Sequence, residues 1–108
     1  MAQIQRQQYA RLLARRCERE NSVELRIRYA AALADVDQVD EAQAVTDQLV
    51  LDAPEEQEVW MLCLRLAVMR RDGDEVQRVI DAIDKQHVYL SAANREELAF
   101  WRNGEEAR

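Results

Sequence analysis

The sequence repeats itself with a period of 34. Positions 23–56 and 57–90 fall into register, pairing Ala30 with Leu64, Leu33 with Ala67, Ala42 with Val76, Thr46 with Ile80 and Leu49 with Ile83. Acidic turn clusters share a phase as well, Asp35, Asp37, Asp40 and Glu41 in the first copy and Asp72, Asp74 and Glu75 in the second. A fixed period of this length marks arrays of helix pairs, in which each pair buries its apolar face only by stacking on a neighbour. Such arrays usually bind other chains and rarely catalyse reactions. The spacing therefore implies an all-α fold and a binding role, and it names no partner.

The composition agrees. With 108 residues the chain has room for one modest core, and its two glycines and one proline are too few for the turns of a β-sandwich. It has no apolar run near the length that spans a bilayer, and no signal-peptide pattern opens it. Cys17 and Cys63 form no metal-type spacing and lie on apolar helix faces, as reduced core thiols do. A disulfide between them requires Cα atoms within about 7 Å. These features imply a cytoplasmic protein. The formal charge of −6 argues against a nucleic-acid partner, because phosphate neutralisation needs a basic face.

The charge is unevenly spread. Arg6, Arg11, Arg15 and Arg16 occupy residues 1–16 without an acid, whereas residues 35–58 carry acids and neither Lys nor Arg. This polarity suits steering of a partner or antiparallel self-association, or it reflects two solvated faces. An Arg-rich, acid-free start is also a transit-peptide trait, but this one lacks Ser and Thr and its apolar positions run on into the repeat.

The apolar spacing predicts six helices joined by short loops. The first covers about 3–19, with Ile4, Tyr9, Leu12, Leu13 and Cys17 on one stripe. Asn21 caps the second, about 22–35, with Glu24 completing a capping box. Asp37 is the expected N-cap of the third, about 38–52. Asp52-Ala53-Pro54-Glu55 marks the clearest boundary, with Pro54 near the first position of a fourth helix, about 55–70. That helix is apolar almost all round, from Val59 to Met69, and must be covered on several sides. Asp72-Gly73-Asp74-Glu75 forms a turn and a second capping box before the fifth, about 74–86. Ser91 or Asn94 opens the last, through about 102. The chain thus reads as one domain, 1–108: a capping helix (1–21), two repeats (23–56 and 57–90), a second capping helix (91–103) and a frayed tail (104–108).

Period, helix lengths and anchor positions resemble the tetratricopeptide repeat. Tyr29, Ala30, Leu33, Ala42, Leu49 and Pro54 match that pattern in the first copy, and Trp60 and Gly73 in the second. Arg26 stands at the first copy's aromatic position, Leu64 replaces the small crossing residue, and Val88 replaces the final proline. The resemblance implies a short right-handed array of helical hairpins whose first helices line a concave groove. On this numbering the lining includes Glu24, Ile27, Ala31 and Ala34, then Glu58, Met61, Arg65, Val68 and Met69, then Arg95, Ala99 and Arg102. The positions with which chaperone-binding members clamp a carboxylate hold Ile27, Ala31 and Leu62 here, so the implied ligand is an apolar, helical protein segment.

The function so implied is that of an adaptor or chaperone-like module. Small acidic chaperones of bacterial type III secretion are similar in size and groove character. Alternatively, Met61, Val68 and Met69 are covered by the last helix, with Phe100 and Trp101 inserted. A second role is structural, with Leu98, Phe100 and Trp101 forming an apolar end suited to a homo-oligomer or a larger assembly. Chemistry is hard to find. His87 is the single histidine, with no nucleophile or carboxylate at useful spacing, and no Gly-rich phosphate loop, HExxH or GxSxG occurs. No catalytic residue, metal ligand or cofactor is expected.

Overall fold

A computed structural model describes residues 2–104. Six helices fill it: α1 (Gln3–Arg19), α2 (Val23–Asp35), α3 (Val39–Asp52), α4 (Gln57–Met69), α5 (Gly73–Gln86) and α6 (Ala92–Gly104). No strand occurs among the described residues. Both ends of α4 lie one repeat period beyond those of α2, and both ends of α5 lie one period beyond those of α3. The tail expected at 104–108 lies outside the described residues apart from Gly104, which ends α6. The chain divides into two compact units, Met1–Ala53 and Pro54–Arg108.

In the first unit, Ala10 and Leu13 of α1 pack with Leu25 and Ala32 of α2, and Cys17 and Tyr29 close the cluster. Ala30, Leu33, Ala42 and Leu49 are buried too, as is Thr46, whose hydroxyl donates to the Ala42 carbonyl at 2.7 Å. That bond satisfies the one polar group the first copy places where the second has Ile80. In the second unit α5 turns Val76, Val79, Ile80 and Ile83 inward at helical spacing, and α4 buries eight residues, Val59 to Leu64, Leu66 and Ala67. Both members of all five register pairs are buried. The repeat in sequence is thus a repeat of core positions.

The hairpin turns repeat as well. Asp37 and Arg71, one period apart, are left-handed, with φ of 62° and 56°. After α2, the Asp37 amide donates to Ala34 O and the Gln38 amide to Leu33 O; after α4, Arg71 donates to Val68 O and Asp72 to Ala67 O. This is the Schellman closure, which satisfies the last helix carbonyls. His87, at φ 51°, closes α5 in the same way. No glycine takes a left-handed conformation, and Gly73 opens α5 behind its N-cap Asp72. Because a side chain in the left-handed region costs about 1 kcal/mol, Arg71→Gly should stabilise the second unit by roughly 0.5–1 kcal/mol net of the looser unfolded chain. Urea unfolding reads this directly, and an unchanged or lower midpoint contradicts it.

Several local expectations move by a residue or more. Ser22, not Asn21, caps α2, accepting from the Leu25 amide at 3.0 Å. Asp37 ends α2 rather than capping α3, whose N-cap Gln38 makes no side-chain bond. Asp72 caps α5 through the Glu75 amide, but its own amide goes to Ala67, so the capping box is only half formed. Pro54 precedes α4 in a turn, and its carbonyl accepts from Trp60 Nε1 at 2.6 Å. Ser91 is the residue that opens α6, accepting from the Asn94 amide at 3.3 Å.

Arg26, where the second copy has Trp60, reaches Asp52 Oδ2 at 2.7 Å, and Gln48 donates to the other carboxylate oxygen at 3.0 Å. The Arg26 Nε is buried and meets no acceptor among the described residues. The hydrogen bond from Arg26, then that from Gln48, holds the Asp52 carboxyl below its ordinary value. A carboxyl depressed in the folded state adds stability above its unfolded pKa, about 4, and that stability is lost as the pH falls through the folded value. Asp52→Asn should therefore lower the melting temperature at neutral pH, with the gap from the wild type closing in acid. A gap that stays constant with pH excludes the ion pair as its cause.

Candidate functional site

The partner-facing positions named from the sequence fall on α2, α4 and α6. On α2, Glu24 is exposed and Ile27, Ala31 and Ala34 are half-buried. They form a narrow stripe of small and aliphatic side chains along one helix face. Beside it Glu24 pairs with Arg28 at 2.7 Å, one turn on.

The α4 stripe divides. Met61 is 0 % exposed, whereas Met69, two turns further, is 42 % exposed and Val68 is half-buried. Met61 offers nothing to a partner, and its place in the expected lining is corrected: the side chain belongs to the core, enclosed by neighbours that a one-dimensional pattern does not show. Arg65 is exposed and makes two hydrogen bonds to Glu97 of α6, at 3.0 and 3.1 Å. That pairing, ahead of the desolvation that opposes it, raises the Arg65 guanidinium above the ordinary arginine value. The fork-to-carboxylate geometry fixes α6 against α4 and holds a cation at the surface.

On α6, Arg95 and Arg102 are exposed but do not join Arg65. Arg102 turns to Asp84 of α5, with bonds of 2.8 and 3.0 Å, and both arginines border a surface cavity of about 370 Å³ between the end of α5 and α6. Glu97 and Arg102 are five positions apart, which on a helix places them on different flanks. The expected set of lining residues in the second unit is thus two sets. One is Arg65, Val68 and Met69 beside Glu97; the other is Arg95 and Arg102 over the α5 cavity.

Of the three residues expected to form an apolar end, Leu98 is 6 % exposed and faces inward, which removes it from any interface. It follows Asn94 by one turn on the buried side of α6. Phe100 is 61 % exposed, and Trp101 is half-buried with its ring edge-on to Phe100, centroids 4.9 Å apart at 87°. Trp101 lies one turn beyond Glu97 on the same flank. The second unit therefore presents Met69, Phe100 and Trp101 together with the Arg65–Glu97 pair.

A polar clamp supports this face. Gln57 Oε1 accepts from the Ser91 amide at 2.7 Å and from Asn94 Nδ2 at 2.8 Å, and the same Nδ2 donates to Glu58 at 2.9 Å. Asn94 is buried. Together these bonds tie the start of α6 to the start of α4. Nothing local in the sequence marks Gln57, whose only signal is its place one period before Ser91.

Both cysteines are reduced thiols. Burial raises the pKa of Cys17, against the opposing pull of Arg26 and Arg16, so the thiol is a poor nucleophile. Among the described residues no group of three or more His, Cys, Asp or Glu is placed to hold a metal ion, and no helix is long and apolar enough to cross a membrane. Compared with known proteins, the chain matches no family model, no curated protein and no solved structure.

Proposed function

We propose that this chain is a protein-binding module of the tetratricopeptide type, an adaptor or chaperone-like protein that takes an apolar, helical segment of another protein. The architecture is supported by helix ends, left-handed turn residues and core positions that all recur with the sequence period. The binding role rests chiefly on one observation. Met69, Phe100 and Trp101 leave apolar surface exposed around the Arg65–Glu97 pair in the second unit. Met, aromatic residues and Arg are the types enriched in interface cores, and methionine adapts to varied apolar partners. An amphipathic helix supplies apolar side chains at one-turn spacing for such a face. Arg65 and Glu97, each already neutralised by the other, give its polar rim no net charge.

Met69→Glu tests this reading. The position is exposed, so helicity and melting temperature should change little, while co-purification of the partner from the cells that make the protein should fall at least about tenfold. A partner retained at wild-type level by Met69→Glu and by Phe100→Glu places its binding surface elsewhere.

A further inference from the structure

Between α1 and α3, over α2, the first unit holds an open-mouthed cavity of about 280 Å³. Its floor is apolar, made by Ala10 of α1, Leu33 of α2 and Val36 just beyond it, all three buried. Ala10 and Ala14 lie one turn apart on α1, and their small side chains leave the room that larger ones would fill. The mouth is polar. Gln7 and Arg11, also one turn apart, line the α1 wall, and Gln38 and Glu41 line the wall at the start of α3. Tyr29 of α2 borders the same space.

None of these five polar side chains makes a hydrogen bond or an ion pair among the described residues. Arg11 and Glu41 thus border one cavity without meeting. Burial first, then the charge of Glu41, raises the Tyr29 phenol above its ordinary value. The hydroxyl is therefore protonated at neutral pH and lies within the field of that carboxylate. The wider charge divides in the same way. Helix α1 holds five arginines against one acid, and α3 holds four acids and no base. A positive wall faces a negative one across an apolar floor. An anion or a cation alone is drawn to one wall and repelled by the other, whereas a molecule carrying both charges suits both.

We infer that this cavity binds a free amino acid with an aliphatic side chain, its carboxylate on Arg11, its ammonium on Glu41 and its side chain on the floor. The residues present match each part of such a ligand. A guanidinium takes a carboxylate through its fork, and Gln7 offers amide protons beside it. An ammonium has three protons to donate, and Glu41, the Tyr29 oxygen and the Gln38 carbonyl oxygen are acceptors. Ala10, Leu33 and Val36 receive the aliphatic chain. The volume lies at the lower edge of the about 300–1,000 Å³ common for ligand pockets, which suits a molecule of this size. The site belongs to the first unit and shares no residue with the Met69 face, so Met69→Glu should leave its affinity unchanged.

Titration of the whole chain with leucine, followed by proton–nitrogen correlation NMR, tests it. Amides of residues 7–14 and 38–41 should shift saturably, with a dissociation constant below about 1 mM. Two decoys each remove one charge: leucinamide lacks the carboxylate and N-acetylleucine lacks the ammonium. They also mimic the first and the last residue of a peptide. Each should bind at least about tenfold more weakly than leucine. Arg11→Gln and Glu41→Gln, both at exposed positions, should weaken leucine binding by a similar factor while far-UV circular dichroism stays unchanged. Ala14→Leu, which narrows the cavity and alters no charge, should abolish the shifts. No saturable shift up to about 10 mM leucine overturns the proposal. So does a decoy that binds as tightly as leucine, which would assign the cavity to a chain end. An affinity unchanged in both charge variants overturns it as well.

Discussion

Met61→Glu should unfold the second unit. The side chain has no exposed surface, so the new carboxylate must either lose its hydration inside the core or be held neutral there. Penalties of this kind are on the order of 4–5 kcal/mol, comparable with the whole stability of a small domain. Far-UV circular dichroism should lose a large share of the helical signal at room temperature. Met61→Leu, which keeps volume and polarity, should cost no more than about 1.5 kcal/mol. The contrast with Met69→Glu sharpens the test, because the two methionines lie on one stripe two turns apart and differ in burial alone. Equal, mild effects at both positions would mean that Met61 is not enclosed.

Asn94→Asp should be nearly as damaging, though the shape of the side chain hardly changes. Asn94 Nδ2 gives its two protons to Gln57 and Glu58. The substitution puts an acceptor against two acceptors, one of them a carboxylate, in a buried position. Loss of both bonds and the new repulsion should cost about 3 kcal/mol at neutral pH. Burial and Glu58 both raise the pKa of the introduced carboxyl in the folded state. The penalty is therefore full well above that raised value and shrinks as the pH falls through it, once the group regains a proton to donate. Urea unfolding of variant and wild type at neutral and mildly acid pH should show the difference narrowing in acid. A difference that widens would place the Asn94 amide outside the clamp.

These two positions also show what the sequence made legible. All six helices and the five register pairs follow from apolar spacing, because burying a helix face imposes its period on the chain. Burial by other helices leaves no such local trace. Met61 and Met69 look alike in sequence, and only the three-dimensional packing separates them. Leu98, read beside Phe100 and Trp101 as one apolar end, sits on the opposite side of its helix from Phe100. The left-handed turn residues were hidden for a different reason. Gly73 offered an obvious turn former, while the left-handed positions are Asp37, Arg71 and His87, three residues of ordinary appearance. Gln57 and Asn94 were invisible because a clamped amide and a solvated one have the same local sequence. Arg65 is recognisable as a surface cation, but its fork to Glu97, far along the chain, is not.

The reading as a binding module stands or falls on whether another protein touches the Met69 face. A photo-crosslinking residue placed at Met69 and, as a control, at Gln77 on the exposed side of α5 measures this in the cells that make the protein. A binding module of the kind proposed gives a discrete adduct with a second protein from position 69 and none from position 77. Adducts of equal yield from both positions, or none from position 69, would contradict it.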